Sequence, residues 1–91
     1  MAKVVIYTTQ ICPYCVRAKA LLRSKRVEFE EIDIGRDPRL REEAMRLSGG
    51  RRTVPQIFID ERSIGGYDEL WELDQAGKLD PLLGNADEKA G

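Results

Sequence analysis

The order of apolar and polar positions divides the chain into short units. Lys3 to Thr8 carries Val4, Val5, Ile6 and Tyr7 in one β-branched and aromatic block, bounded by Thr9-Gln10, and predicts a buried first strand. Pro13 suits the first turn of a helix, where its missing N–H is not needed. Ala18, Leu21 and Leu22 then recur at helical spacing up to Lys25. Val27 to Ile34 sets Val27, Phe29, Ile32 and Ile34 against Glu28, Glu30, Glu31 and Asp33, which predicts a second strand with one solvated flank. Asp37 caps a helix opened by Pro38, with Leu40, Ala44 and Leu47 on one stripe, until Gly49-Gly50 stops it.

The second half reads differently. Gln56 to Ile59 predicts a third strand, Asp60-Glu61 a hairpin turn and Ser63-Ile64 a short fourth strand ended by Gly65-Gly66. So short a connection implies antiparallel pairing. From Tyr67, the positions Leu70, Trp71 and Leu73 predict a third helix stopping near Gly77, with a last turn at Pro81 to Leu83. Residues 1–84 form one expected domain and 85–91, small and polar, a flexible tail. The order βαβαββα puts the chain in the α/β class, as a four-stranded mixed sheet with flanking helices.

Composition removes whole classes of chemistry. The 91 residues include no histidine, which excludes a Ser-His or Cys-His nucleophile, a His base and a His-ligated metal. Two cysteines are too few for the disulfide framework of a small secreted domain and cannot fill a tetrahedral zinc site alone. No apolar run approaches the roughly 18 residues that span a bilayer, nor the length of a signal-peptide core, so a cytoplasmic protein without membrane attachment is expected. In a reducing cytosol a close pair of cysteines points to catalysis or metal binding rather than a permanent bridge. Residues 1–59 hold 12 basic and 7 acidic side chains, whereas 60–91 hold 3 basic and 9 acidic. Arg17, Lys19, Arg23, Lys25 and Arg26 follow the second cysteine with no acid before Glu28, a face that would draw a small anion or simply be solvated. Neither an overall basic excess nor interleaved aromatics supports nucleic-acid binding.

Cys12-Pro13-Tyr14-Cys15 falls at the junction of the first strand and first helix, where a C-x-x-C pair is a redox motif. At the helix cap, free backbone N–H groups and the positive end of the helix dipole favour a thiolate on Cys12. Cys15, one turn inside on the same side, is within disulfide reach and better shielded. Cys12 is therefore the expected nucleophile and Cys15 the resolving thiol. A low-pKa sulfur also leaves a mixed disulfide faster. The competing readings are a structural pair or half of a zinc site, the latter needing carboxylates or a second chain.

Three blocks in order, Cys12-Pro13-Tyr14-Cys15, then Thr53-Val54-Pro55 with Gln56-Ile57-Phe58-Ile59, then Gly65-Gly66-Tyr67-Asp68, make the chain resemble a dithiol glutaredoxin from about residue 3 to 83. The resemblance implies a thioredoxin-like fold, glutathione as co-substrate with no tightly bound cofactor or metal, and reduction of protein disulfides and glutathione mixed disulfides. Disulfide-containing or glutathionylated proteins, with ribonucleotide reductase as one candidate, are the implied partners, and a monomer the implied form. Before a proline, Val54 is pushed toward extended backbone able to pair with another peptide. The resemblance further implies that Pro55 is cis and faces the cysteines, beside Thr53, with the cysteinyl backbone of glutathione on Val54. It places the γ-glutamyl end at Gly66, on the amides of Tyr67 and Asp68, with the Asp68 carboxylate near the ligand amine and Tyr14 lining the groove. Many relatives have Lys where this chain has Thr9 and Gln where it has Arg51. Arg51 is accordingly the expected contact for the glycyl carboxylate, with Arg52 the competing candidate.

Two other functions fit the same residues. One is an iron-sulfur carrier in which two chains and two glutathiones hold a 2Fe-2S cluster through Cys12. Pro13 counts against it, because cluster-binding relatives commonly have a small residue there. The other is a glutathione-independent redoxin, disfavoured by the Gly65 to Asp68 block.

Overall fold

A computed structural model describes residues 2–84, so the tail expected at 85–91 lies outside the described residues. The elements run β1 (Val4–Thr8), α1 (Pro13–Ser24), β2 (Phe29–Asp33), α2 (Pro38–Leu47), β3 (Gln56–Ile59), β4 (Arg62–Gly65), α3 (Tyr67–Gln75) and α4 (Leu79–Leu83). They build a mixed sheet of order β2-β1-β3-β4. β1 runs parallel to β2, with Val4 opposite Phe29, and antiparallel to β3, with Val4 opposite Ile59 and Tyr7 opposite Gln56. β4 pairs antiparallel with β3 through a register shift at Ile57 and Phe58.

The lack of polar alternation in β1 and β3 has a direct cause, because both faces of these central strands are covered. Val4, Ile6, Ile57 and Ile59 face Ala18 and Leu22 of α1, Leu70 of α3, and Leu79 and Leu83 of α4. The intervening Tyr7 and Phe58 face the other way, onto Ile34 and Ala44, with Leu40 of α2 packed against them. The rings of Tyr7 and Phe58 meet edge to face at 5.5 Å. This is the thioredoxin-like arrangement, with α1 and α3 on one side of the sheet and α2 on the other.

Several expectations are corrected. β2 is confined to Phe29–Asp33, although Val27 and Ile34 at its ends are buried. Leu47 and Trp71, read from the sequence as part of apolar stripes, are each 48% exposed. Leu47 is the last residue of α2, and Trp71 is rotated about 100° from the buried Leu70. β4 extends over Arg62–Gly65 and so includes Gly65. The last turn is a helix beginning at Leu79, with Pro81 in its first turn, where a missing N–H costs no hydrogen bond.

The hairpin turn is where Asp60-Glu61 was expected, with φ of 50° and 69°. Asp60 is fastened there, its N–H donating to Lys3 O at 2.8 Å and its Oδ1 accepting the Lys3 N–H at 2.9 Å. Glu61 has no comparable tie, and a non-glycine residue in the left-handed region costs about 1–2 kcal/mol. Set against the greater chain entropy of glycine, Glu61→Gly is expected to stabilise the fold by about 0.5–1 kcal/mol, read from urea unfolding.

Candidate active site

Pro13 at the first position of α1 leaves Cys12 as its cap, with extended backbone (φ −153°, ψ 98°). The Cys12 Sγ accepts the Cys15 N–H at 3.1 Å, so an N-terminal amide of the helix points at the sulfur. The Val16 N–H closes the first turn on Cys12 O at 3.2 Å. Both thiols are free, Cys12 half-buried and Cys15 only 1% exposed. Burial pushes the Cys15 thiol up to about 12, and its hydrogen bond with Cys12 adds to the effect. One sulfur is thus accessible and served by a backbone donor, while the other keeps its proton until exchange draws it out.

The opposite wall comes from the loop before β3. The Val54–Pro55 peptide is cis, and Pro55 is fully buried. The Val54 carbonyl lies 3.8 Å from the Cys12 Sγ. Behind the loop the buried Gln56 donates from Nε2 to Thr53 O at 2.9 Å and to Thr53 Oγ1 at 3.1 Å, fixing the segment ahead of the proline. The third wall is the start of α3, where Gly66 caps the helix and passes close to Pro55, a Cβ built on it lying 3.4 Å from Pro55 O. Between them runs a groove of about 250 Å³. Tyr14, Arg51, Thr53, Val54, Pro55, Gly66, Tyr67 and Asp68 all line it, so these eight ligand-contact candidates from the sequence converge on one concavity. Arg52 is not on it and lies with Arg41 and Met45 at an adjoining hollow, which Arg51 and Thr53 also border. At one side the rings of Tyr14 and Tyr67 are 6.3 Å apart, with the Arg17 guanidinium 5.5 Å from the Tyr14 ring centre.

Comparison with known proteins decides what this groove belongs to. The glutaredoxin family profile matches residues 4–64. Glutaredoxin 3 of Escherichia coli strain K12 is 59% identical over 83 residues, covering 91% of this chain and 99% of that protein. A glutaredoxin of Pseudomonas aeruginosa is 55% identical over 83 residues, covering 91% of this chain and 98% of its own. The chain belongs to the glutaredoxin family. Among solved structures, the Brucella melitensis glutaredoxin superposes with a TM-score of 0.82 at 53% identity, covering 93% of this chain and 91% of its own. A buckwheat glutaredoxin solved as a glutathione complex superposes with a TM-score of 0.83 at 29% identity, covering 91% and 77%. The protein is accordingly a thiol-disulfide oxidoreductase, with the Cys12/Cys15 pair as its dithiol motif.

This glutaredoxin also shows what the sequence reading missed. Glu69 was not singled out, yet its Oε1 accepts the Gly66 N–H at 2.7 Å and the Arg51 Nη2 at 2.8 Å. The signal was present in the spacing, since Glu69 is the third residue after the Gly66 cap, where a carboxylate reaches back to the cap N–H. The Gly66 N–H, with Arg51 second, holds the Glu69 carboxyl below its ordinary value of 4.5. A carboxyl depressed on folding stabilises the native state at neutral pH and loses that contribution as pH falls below about 4.5. The stability difference between wild type and Glu69→Gln should therefore be constant near neutrality and shrink in acid, as followed by urea unfolding at stepped pH.

The basic run after Cys15 does not form one positive face. Lys19 pairs with Glu31 at 2.9 Å, and Lys25 lies 2.5 Å from Asp74 and 3.3 Å from Asp80, joining α1 to the C-terminal helices. The hydrogen bond to Asp74 raises the Lys25 ammonium above its usual value. Arg23 stacks at 5.6 Å from the Phe29 ring centre. These cations are used in holding elements together, and Arg17 is the member of the run that lies against a groove residue. Among the described residues no group of three or more Cys, Asp or Glu is placed to hold a metal, and no helix is long and apolar enough to cross a membrane.

Proposed function

We propose that this oxidoreductase is glutathione-dependent and reduces glutathione mixed disulfides and protein disulfides. The observation that carries the reading is the approach of the Cys12 sulfur to the Val54 carbonyl at the end of a groove that runs to the first turn of α3. A tripeptide disulfide-bonded to Cys12 would lie along the extended Val54 backbone, as a peptide adds to a sheet edge. Its γ-glutamyl carboxylate would then reach the free N–H groups of Tyr67 and Asp68, with the Asp68 carboxylate near the ligand amine. Arg51 would take the glycyl carboxylate. The buckwheat relative, solved with glutathione, supports this occupant.

The chemistry is two successive exchanges. The Cys12 thiolate attacks the glutathionyl sulfur of a mixed disulfide, the old S–S bond breaks, and the substrate leaves as a thiolate that takes a proton from water. A second glutathione thiolate then attacks the glutathionyl sulfur on Cys12, releasing oxidised glutathione and the Cys12 thiolate. With a protein disulfide, Cys12 attacks one substrate sulfur and the other leaves as a thiolate. Cys15, giving up its proton to a departing substrate thiolate, then attacks the Cys12 sulfur, breaking the mixed disulfide and releasing the reduced substrate as the intramolecular disulfide forms. Two glutathiones then reduce that bond. The Cys15 N–H donates to the Cys12 sulfur, which carries the negative charge before its attack and again when glutathione displaces it. Ile11, Tyr14 and Val16 are 93%, 53% and 62% exposed around the motif and offer apolar contact to a disulfide-bearing protein. A dependence on reduced glutathione fits a reducing compartment such as the cytoplasm.

A coupled assay tests the reading. With glutathione, glutathione reductase and NADPH, a glutathionylated peptide is expected to be turned over rapidly. Turnover supported instead by thioredoxin reductase without glutathione would overturn it.

A further inference from the structure

We infer that Glu69 is a positioning residue that holds Arg51 ready for the glycyl carboxylate of the glutathionyl group; this rests on the glutathione reading above. Arg51 lies in the loop before Thr53, and its side chain is 44% exposed. A guanidinium so placed samples many rotamers, and ordering it on binding costs entropy that weakens the contact. Glu69 removes much of that freedom beforehand. Its carboxylate is itself fixed, because the same Oε1 that takes the Arg51 Nη2 at 2.8 Å takes the Gly66 N–H at 2.7 Å. The Arg51 head is thus anchored to the start of α3, and both residues line the groove of Val54, Tyr67 and Asp68.

Gly65 supplies the room for this arrangement. A Cβ there would lie 2.5 Å from Glu69 Oε1 and 2.7 Å from Arg51 Nη1, so the ion pair fills the space that a side chain would take. A guanidinium has five N–H donors, and the pair with Glu69 engages Nη2, leaving donors for a second carboxylate. Glu69 also places a negative charge near the site, so the opposite outcome, competition with the ligand for Arg51, is physically distinct and measurable.

The test compares a glutathionylated peptide with the same peptide carrying glutathione esterified at the glycyl carboxylate, free glutathione being the reductant in both. The readout is the ratio of the two kcat/KM values, which a general loosening of the fold would not move. Wild type is expected to prefer the free carboxylate by about two- to fivefold, the range for a partly exposed ion pair. Arg51→Ala should bring the ratio to one, Glu69→Ala should lower it toward one, and the double variant should match Arg51→Ala. Glu69→Gln keeps an acceptor for the Gly66 N–H, and should shift the ratio in the same direction if Glu69→Ala folds poorly. A wild-type ratio in Glu69→Ala and Glu69→Gln would overturn the inference while leaving the glutathione reading intact. A raised preference would show competition and overturn it as well. Absence of glutathione-dependent turnover in wild type would remove the reading beneath it.

Discussion

Cys12→Ser is expected to abolish every exchange activity, by at least about 10³-fold, because no other residue can open a covalent route. Cys15→Ser is expected to divide the activities, keeping reduction of glutathione mixed disulfides and losing reduction of protein disulfides. The asymmetry follows from the two environments. Cys12 is half-buried with the Cys15 N–H at 3.1 Å and the open groove beside it, whereas Cys15 is 1% exposed with its thiol pushed up to about 12. A second glutathione can replace a buried resolving thiol, and nothing can replace the first sulfur. Steady-state rates on a glutathionylated peptide and on a disulfide-bonded protein measure both activities. Cys15→Ala should give the same division, which separates the chemistry from any cost of a buried hydroxyl. Loss of both activities in the two Cys15 variants would refute the assigned roles.

Gly65→Ala is expected to damage stability and activity together. At φ +113° a side chain is strained, for about 1–2 kcal/mol. The new Cβ would also press on Glu69 and Arg51, adding about 1 kcal/mol, the low end for overpacking, because the atoms it meets are mostly the ends of flexible, part-exposed side chains. The combined loss is about 2–3 kcal/mol, with a fall in kcat/KM for glutathionylated peptide because the Arg51–Glu69 pair must move. Gly49→Ala provides the comparison, since Gly49 has φ +77° but nothing within 4 Å of its added Cβ. It should cost only the backbone strain and leave kcat/KM at the wild-type value. Equal effects of the two substitutions, in urea unfolding and in kinetics, would show that the space above Gly65 has no special role.

Much of this was legible in the residues, for identifiable reasons. β1 and β3 are visible as uninterrupted apolar blocks because each is covered on both faces, and α1 and α2 because Pro13 and Asp37-Pro38 mark their starts. Six of the eight candidate groove residues sit in two compact blocks, Thr53 to Pro55 and Gly66 to Asp68, which the sheet order then brings together. What could not be read depends on partners from other elements. Leu47 and Trp71 have the right spacing but are only half covered, and periodicity alone cannot tell a stripe from its edge. The basic run after Cys15 looked like a landing face because Glu31, Asp74 and Asp80, which take up Lys19 and Lys25, lie on other segments. Arg51 could not be separated from Arg52 without the loop geometry, which turns only Arg51 into the groove. Gln56 read as a strand residue, and its buried amide under Thr53 became visible only in three dimensions.

The central claim is that the glutathionyl group on Cys12 lies along Val54 and ends at the first turn of α3. It is tested most directly by NMR of the Cys15→Ser protein, comparing amide shifts before and after Cys12 is converted to its glutathione mixed disulfide. The expected result is a set of perturbations at Val54, Gly66, Tyr67 and Asp68 together with those around Cys12. Perturbations confined to Cys12 and its neighbours on α1, with the Tyr67 and Asp68 amides unmoved, would contradict the account.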